Sequence, residues 1–284
     1  MDGILVINKP KGMTSREVVN QVSHLLYTKK IGHTGTLDPL ATGVLVLAMG
    51  AATKIIELLT NDDKEYIAEF QIGKATDTLD ITGKVLEERE VVAEDGERLK
   101  NVISTFERSY EQEVPLYSAV KVNGQRLYQY ARTNREVSLP KRKVELKKLE
   151  LLEAHFPFYT LFCKVSKGTY IRSLIRDIGF KADLPCTMTN LKRVKQGIFT
   201  IEESFTLEEI EKGSYQIKPI KEALENLPQI KVDDDLARKI KNGVKLPALF
   251  SEDKGLLLDQ EDHLLAIYEQ DSKVPNQIRA FRVF

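Results

Sequence analysis

Residues 32–45 read GHTGTLDPLATGVL, with a single carboxylate, Asp38, set among small, hydroxyl-bearing and apolar side chains. Gly32 and Gly35 permit backbone angles that other residues resist, and Pro39 biases Asp38 toward an extended shape, so the acid projects from a loop. No other Asp or Glu occurs between Glu17 and Glu57. An acid kept for solubility usually has charged neighbours, whereas this one precedes an apolar run, Val44 to Met49, that reads as a buried strand. The pattern fits a reactive carboxylate; a plain turn aspartate before proline would give the same local string.

Upstream, ILVIN is a short apolar strand, and KPKG at 9–12 is a turn leading to Thr14 and Glu17, which have capping-box spacing. The helix this predicts carries Val18, Val22, Leu25 and Leu26 at helical intervals and stops by Gly32. A second helix is expected over residues 52–59, burying Ile55, Ile56 and Leu59. Within 65–72, Tyr66, Ala68, Phe70 and Ile72 share one face of a strand. Residues 159–165 read as another strand, Gly168 as a turn, and 170–181 as a helix with Leu174, Ile175 and Ile178 inward. Strands and helices intermingle without regular βαβ alternation, which predicts an α+β fold. Near residue 226 the texture changes to short strand-like runs (GLLLD, HLLAIYEQ, IRAFRVF), so the chain divides into 1–225 and a small β-rich unit, 226–284.

The 284 residues suffice for a large and a small domain, and 42 basic residues balance 42 acidic ones. That balance conceals a polar distribution. Residues 121–150 hold nine Lys or Arg against three acids and 164–200 hold eight against two, whereas 85–113 hold nine acids against four bases. The basic blocks suit a polyanion or an ordinary solvated face. Within 115–143, Tyr117, Tyr128 and Tyr130 alternate with Lys121, Arg126, Arg132, Arg135, Lys141, Arg142 and Lys143, a texture that suits RNA loops: cations for phosphate, rings for splayed bases. Two cysteines, Cys163 and Cys186, make no disulfide framework, and histidines at 24, 33, 155 and 263 make no metal cluster. Asp77 and Asp80 alone are a poor cation cage. With neither leader nor membrane-length apolar run, a cytoplasmic protein is expected.

GHTGTLDPLATGVL resembles the signature of the bacterial tRNA pseudouridine synthase B (TruB) family, and NKPKGMTS (8–15), KEYIAEFQIG (64–73) and SKGTYIRSL (166–174) match that family in the expected order. The resemblance implies a catalytic domain over 1–225 with a mixed, largely antiparallel sheet, a thumb-like RNA-binding segment at 115–143, and a PUA-like domain at 226–284. It implies isomerisation of the T-loop uridine at position 55 of tRNA. By residue matching, Asp38 is the nucleophile, Arg172 its cationic partner, and Tyr66 the ring that stacks on the base and takes part in proton transfer. Tyr170 and Leu191 wall the pocket, and His33 occupies the space left by the flipped nucleotide.

The chemistry agrees with these residue types. Turning uridine into pseudouridine requires no cofactor and no metal, but it needs an ionised carboxylate held out of bulk water, which a fixed cation favours while burial opposes. Lys9, Lys121, Arg126, Tyr128, Arg132, Lys141, Arg142, Lys192 and Arg193 are expected to hold the RNA. The implied partner is the T-stem loop of tRNA, bound by a monomer. The competing reading is a non-catalytic RNA-binding or tRNA-folding protein using the same groove; against it, an isolated acid facing a polyanion repels phosphate.

Overall fold

The computed structural model describes all residues, 1–284. Strand β1 (Gly3–Lys9) leads into helix α1 (Ser15–Leu25), followed by β2 (Ile31–His33) and β3 (Thr42–Met49). The α1 start is the capping box its sequence predicts: the Glu17 amide donates to Thr14 Oγ1 and the Thr14 amide to Glu17 Oε2. Residues 52–59 depart from the expected single helix. They form a 3₁₀ segment (Gly50–Ile55) running into a short α2 (Ile56–Thr60). The tighter winding aligns positions three apart, so Ala52 and Ile55 are both fully buried, while Ile56 is only partly so.

Next come β4 (Lys64–Ile72), a ribbon of β5 (Lys74–Thr76) and β6 (Val85–Glu88), helix α3 (Ala93–Thr105) and β7 (Ser109–Glu113). The basic segment holds a small hairpin, β8 (Lys121–Val122) and β9 (Gln125–Arg126), and then α4 (Leu127–Arg132). Its turn is Asn123-Gly124, both at positive φ, 49° and 81°, as a two-residue hairpin turn demands. Long strands β10 (Lys141–His155) and β11 (Phe158–Val165) precede α5 (Ile171–Lys181), β12 (Cys186–Gln196) and β13 (Phe199–Thr200), with short helices α6 (Leu207–Glu211) and α7 (Ile220–Ala223) after them.

The main sheet runs β1-β3-β12-β4-β11-β10-β7, with β2 paired to β3 and β13 to β12. Every pair is antiparallel except β3 with β12. The fold is thus α+β with a mixed, largely antiparallel sheet. Strand β3 passes close to β12 at Gly43, whose φ is +96°; a methyl there would stand 2.2 Å from the Arg193 carbonyl oxygen. Only glycine suits that crossing.

The unbroken apolar runs of β1 and β3 have a simple cause: both faces are covered. Leu5, Ile7, Leu45, Leu47 and Met49 enter the core built with α1, α3 and α5. Their alternates, Ile4, Val6, Val44, Val46 and Ala48, enter a second cluster with Ile55, Phe199, Leu256, Leu258 and Ile267. The last three belong to a five-stranded sheet, β14 (Gln229–Lys231), β15 (Leu246–Pro247), β16 (Lys254–Leu258), β17 (Leu264–Gln270) and β18 (Gln277–Val283), crossed by α8 (Asp234–Lys241). That sheet has its own interior, including Val232, Ile240, Leu257, Tyr268 and Ile278, but shares the second cluster with the main sheet. Arg282 Nε also donates to the Lys54 carbonyl at 3.1 Å across the same junction.

Because apolar side chains from both sheets form one cluster, they are expected to unfold together. Calorimetry should show a single transition, and Ile267→Ala, truncating a fully buried side chain, should lower the stability of the whole by ~2–5 kcal/mol. A resolved second transition would contradict the shared core.

Candidate active site

The segment carrying Asp38 is an excursion from the sheet. The chain leaves β2 after His33, which pairs with Leu47, and re-enters at Thr42. Asp38 sits where the loop turns, its carbonyl accepting from the Ala41 amide at 3.1 Å. The N-terminal segment holds this loop at three points. Ser15 Oγ accepts from the Leu37 amide at 2.8 Å and donates to the Leu37 carbonyl at 3.1 Å. The Gly12 amide donates to the Pro39 carbonyl at 2.8 Å. Lys9 Nζ donates to the carbonyls of Ala41 and Pro10 at 2.7 and 2.8 Å. The residues on either side of the acid are therefore tied down, while its side chain stays about one-third exposed, at 35%.

Arg172, the second residue of α5, meets that carboxylate with two nitrogens: Nε lies 2.8 Å from Oδ2, and Nη2 donates to Oδ1 at 3.1 Å. The pair joins positions 134 apart in sequence. The guanidinium is 4% exposed and is further held by the carbonyls of Thr78 (from Nη1, 2.8 Å) and Tyr117 (from Nη2, 3.0 Å). A cation in the first turn of a helix is disfavoured by the helix dipole, and burial adds to that cost; the carboxylate and two carbonyls offset both. The turn carrying the Thr78 carbonyl is shaped by Asp80, whose Oδ1 accepts from Thr78 Oγ1 and the Thr82 amide at 2.8 and 2.9 Å. Asp77 accepts from the Lys84 amide and the Tyr117 hydroxyl, at 2.8 and 3.2 Å. Both acids are thus engaged in fixing the surroundings of Arg172.

Asp38 and Arg172 open into a cleft of about 890 Å³ that also gathers Tyr66, Tyr170 and Leu191. Asp38 is its only acidic wall residue, against six cationic ones: Lys64, Arg142, Lys143, Lys167, Arg172 and Arg193. Tyr66, on β4, is 7% exposed, and burial raises its hydroxyl pKa above the ordinary value. Tyr170 caps the start of α5, clamped by Gln112, which accepts from its amide at 2.7 Å and donates to its carbonyl at 3.1 Å. His33 stands just outside the cleft wall; its Nδ1 is buried without a partner, and burial lowers its pKa.

The residues expected to hold RNA divide. Lys121, Arg126, Arg132, Lys141, Arg142 and Lys192 are exposed, and Tyr128 is half-buried with the Arg132 guanidinium 5.4 Å from its ring centroid. Lys9 and Arg193 are not on that surface. They are 0% and 1% exposed; Lys9 Nζ is committed to carbonyls of the Asp38 loop, and Nε and Nη2 of Arg193 to those of Val44 (2.7 Å) and Gly35 (2.9 Å). The expectation of phosphate binding by these two is corrected to bracing of the site from inside, because a side chain sealed in the interior cannot reach a backbone phosphate.

Sequence reasoning did not single out Ser15, Gln112, Lys64, or the carbonyls of Thr78 and Tyr117. Backbone acceptors leave no residue-type signal, although Ser15, Lys64 and Tyr117 lay within segments already marked by pattern. Lys64 donates to the carbonyls of Thr60 and Asp62 at 2.7 and 2.5 Å, and burial pulls its pKa down to about 8.

Residues 23–171 match the family described as TruB family pseudouridylate synthase (N terminal domain). The chain is 40% identical over 274 residues to tRNA pseudouridine synthase B of Clostridium tetani, covering 95% of this chain and 93% of that one. It is 39% identical over 303 residues to the enzyme of the same name from Geobacillus thermodenitrificans, covering both in full. Among solved structures, a Cbf5-Nop10-Gar1 complex contains a chain with TM-score 0.73 and 25% identity, covering 99% of this chain and 84% of that one. An H/ACA RNP bound to a substrate RNA containing 2′-deoxyuridine gives the same TM-score at 23% identity and the same coverage, a likeness of fold.

The buried Lys64 yields a signed pH dependence. Its pKa of about 8 lies below the ordinary 10.5, so between those values the unfolded chain holds a proton that the folded one has released, and stability rises with pH. Urea denaturation at pH 7 and pH 9.5 should show wild type gaining stability relative to Lys64→Met at the higher pH. The similarly shifted Lys9 is present in both proteins and cancels.

Proposed function

The chain belongs to the TruB family of pseudouridylate synthases, and from that premise we propose that it isomerises the T-loop uridine at position 55 of tRNA to pseudouridine, with Asp38 as nucleophile. The observation that carries this reading is the two-point Asp38–Arg172 pair at a cleft otherwise walled by cations. A surface built only to hold RNA gains nothing from a carboxylate at its centre, since the acid repels phosphate. A reaction that needs an ionised, oriented acid does gain.

In this reading the target nucleotide leaves its stack and enters the cleft. Its base lies against Tyr66, with Leu191 and Tyr170 as apolar and aromatic walls. Asp38 attacks either the sugar C1′ or the base C6. The C1′–N1 bond breaks, the base turns, C1′ bonds to C5 and the bond to Asp38 breaks, returning the free carboxylate; C5 then loses its proton and N1 gains one, so atoms and electrons balance without an external reactant. Arg172 keeps the carboxylate oxygens aimed and compensates their charge while bound RNA excludes water. The exposed cations of the 115–143 segment, together with Lys192, neutralise phosphates of the stem. Residues 226–284 serve as a PUA-like RNA-binding domain, and the protein works as a cytoplasmic monomer.

The tRNA substrate rests on the sequence resemblance and on the names of the relatives, and the position within it on the resemblance alone; the chemistry rests on the site. Asp38→Asn preserves shape and removes the nucleophile. It is expected to bind a T-arm hairpin within about threefold of wild type while tritium release from 5-tritiated uridine falls by at least ~10³-fold. Near-normal release would remove Asp38 from the mechanism. Tight binding by a wild-type protein that releases no tritium would favour the RNA-binding alternative.

A further inference from the structure

Tyr66 and Arg193 are register partners on the antiparallel strands β4 and β12, so their side chains leave the sheet on the same face. Both line the cleft that contains Asp38. A guanidinium as deeply buried as this one, 1% exposed, ordinarily has a carboxylate beside it. Arg193 forms no ion pair. Nε and Nη2 donate to the carbonyls of Val44 and Gly35, while Nη1 has no carbonyl or carboxylate acceptor and lies 3.5 Å from where a methyl on Gly35 would stand.

The isomerisation supplies a need for such a group. Once C1′ has bonded to C5, that carbon is tetrahedral and carries both the sugar and a proton. Breaking C5–H returns its electron pair to the ring as the C5=C6 double bond, and the proton passes to an acceptor as N1 is protonated. Asp38, released by then, has both carboxylate oxygens held by Arg172, which makes it a weak base. To receive the proton, Tyr66 acts as its phenolate, its own hydroxyl proton passing on to N1 as the C5 proton arrives, so one proton leaves C5 and one reaches N1; the oxygen must face C5 and tolerate negative charge meanwhile, and an N–H donor aimed at that oxygen serves both requirements.

We propose that Arg193 is a positioning residue for proton transfer at C5, its Nη1 holding the Tyr66 hydroxyl oxygen while its other nitrogens tie the same guanidinium to the Asp38 loop and to β3. One cation then sets the spacing between the attacking carboxylate and the proton-accepting phenol. This assignment rests on the pseudouridine synthase reading given above. Burial raises the Tyr66 hydroxyl pKa, and the charge of the nearby Arg193 guanidinium opposes that rise.

The test is a double-mutant cycle of wild type, Arg193→Lys, Tyr66→Phe and the double variant, on an RNA hairpin with protium or deuterium at C5 of the target uridine. Arg193→Lys is expected to lower kcat about tenfold with KM nearly unchanged and to increase the C5 isotope effect. It should do neither once Tyr66 is Phe. Equal losses in both backgrounds, a loss confined to KM, or an unchanged isotope effect would overturn the proposal in favour of a purely structural Arg193. If Arg193→Lys does not fold, Arg193→Gln, which keeps an N–H donor on a shorter side chain and removes the charge, takes its place in the cycle, and the same outcomes decide. A wild-type protein that forms no pseudouridine would sink the underlying reading, and the Arg193 assignment with it, a result distinct from failure of the cycle.

Discussion

A guanidinium taken out of water must find compensating charge, and in this protein Arg172 finds it in Asp38. Removing an ion from water costs several kcal/mol, and mutual attraction repays that cost only when geometry is good and the remaining donors are satisfied. Arg172 meets both conditions: two nitrogens on the carboxylate, and carbonyls of Thr78 and Tyr117 for the rest. Those four contacts draw together the Asp38 loop, the turn after β5, the start of the basic segment and the first turn of α5. The ion pair is therefore a meeting point of the chain as well as a feature of the cleft.

Around it, the protein supports a flexible-looking loop almost wholly through backbone groups. Lys9, Ser15 and Gly12 hold the carbonyls and amides of Leu37, Pro39 and Ala41, and Arg193 holds Gly35. Backbone anchoring fixes position while leaving the Asp38 carboxylate free for one partner. It also explains why three cations, Lys9, Lys64 and Arg193, lie buried without forming ion pairs: carbonyl oxygens carry enough partial charge to satisfy an ammonium or guanidinium when several converge.

The charge distribution has a division of labour. A chain with equal numbers of acids and bases places six cations and one acid around the cleft, while the acidic stretch 85–113 supplies β6, α3 and β7 away from the cleft lining. Within the basic stretches, exposure separates roles. Lys121, Arg126 and Arg132 reach solvent, whereas Arg172 and Arg193 are structural neighbours of the loop.

Sequence by itself determined the elements whose cause is local. The Thr14–Glu17 cap, the period-two face of Tyr66, Ala68, Phe70 and Ile72, and the isolation of Asp38 before Pro39 are properties of neighbouring residues, and each is visible in the string. The Asn123-Gly124 hairpin was equally local and could have been read from its turn dipeptide. Tertiary structure decided what depends on distant segments. An apolar run such as Val44–Met49 looks the same whether one face or both are covered, and only the second sheet makes it both. Lys9 and Arg193 carry the same charge as Lys121 and Arg126, yet they are sealed inside, because burial depends on what packs above a side chain and not on what the side chain is. The partners of Arg172 came last of all, since a carbonyl oxygen belongs to every residue and its position follows from the path of the folded chain.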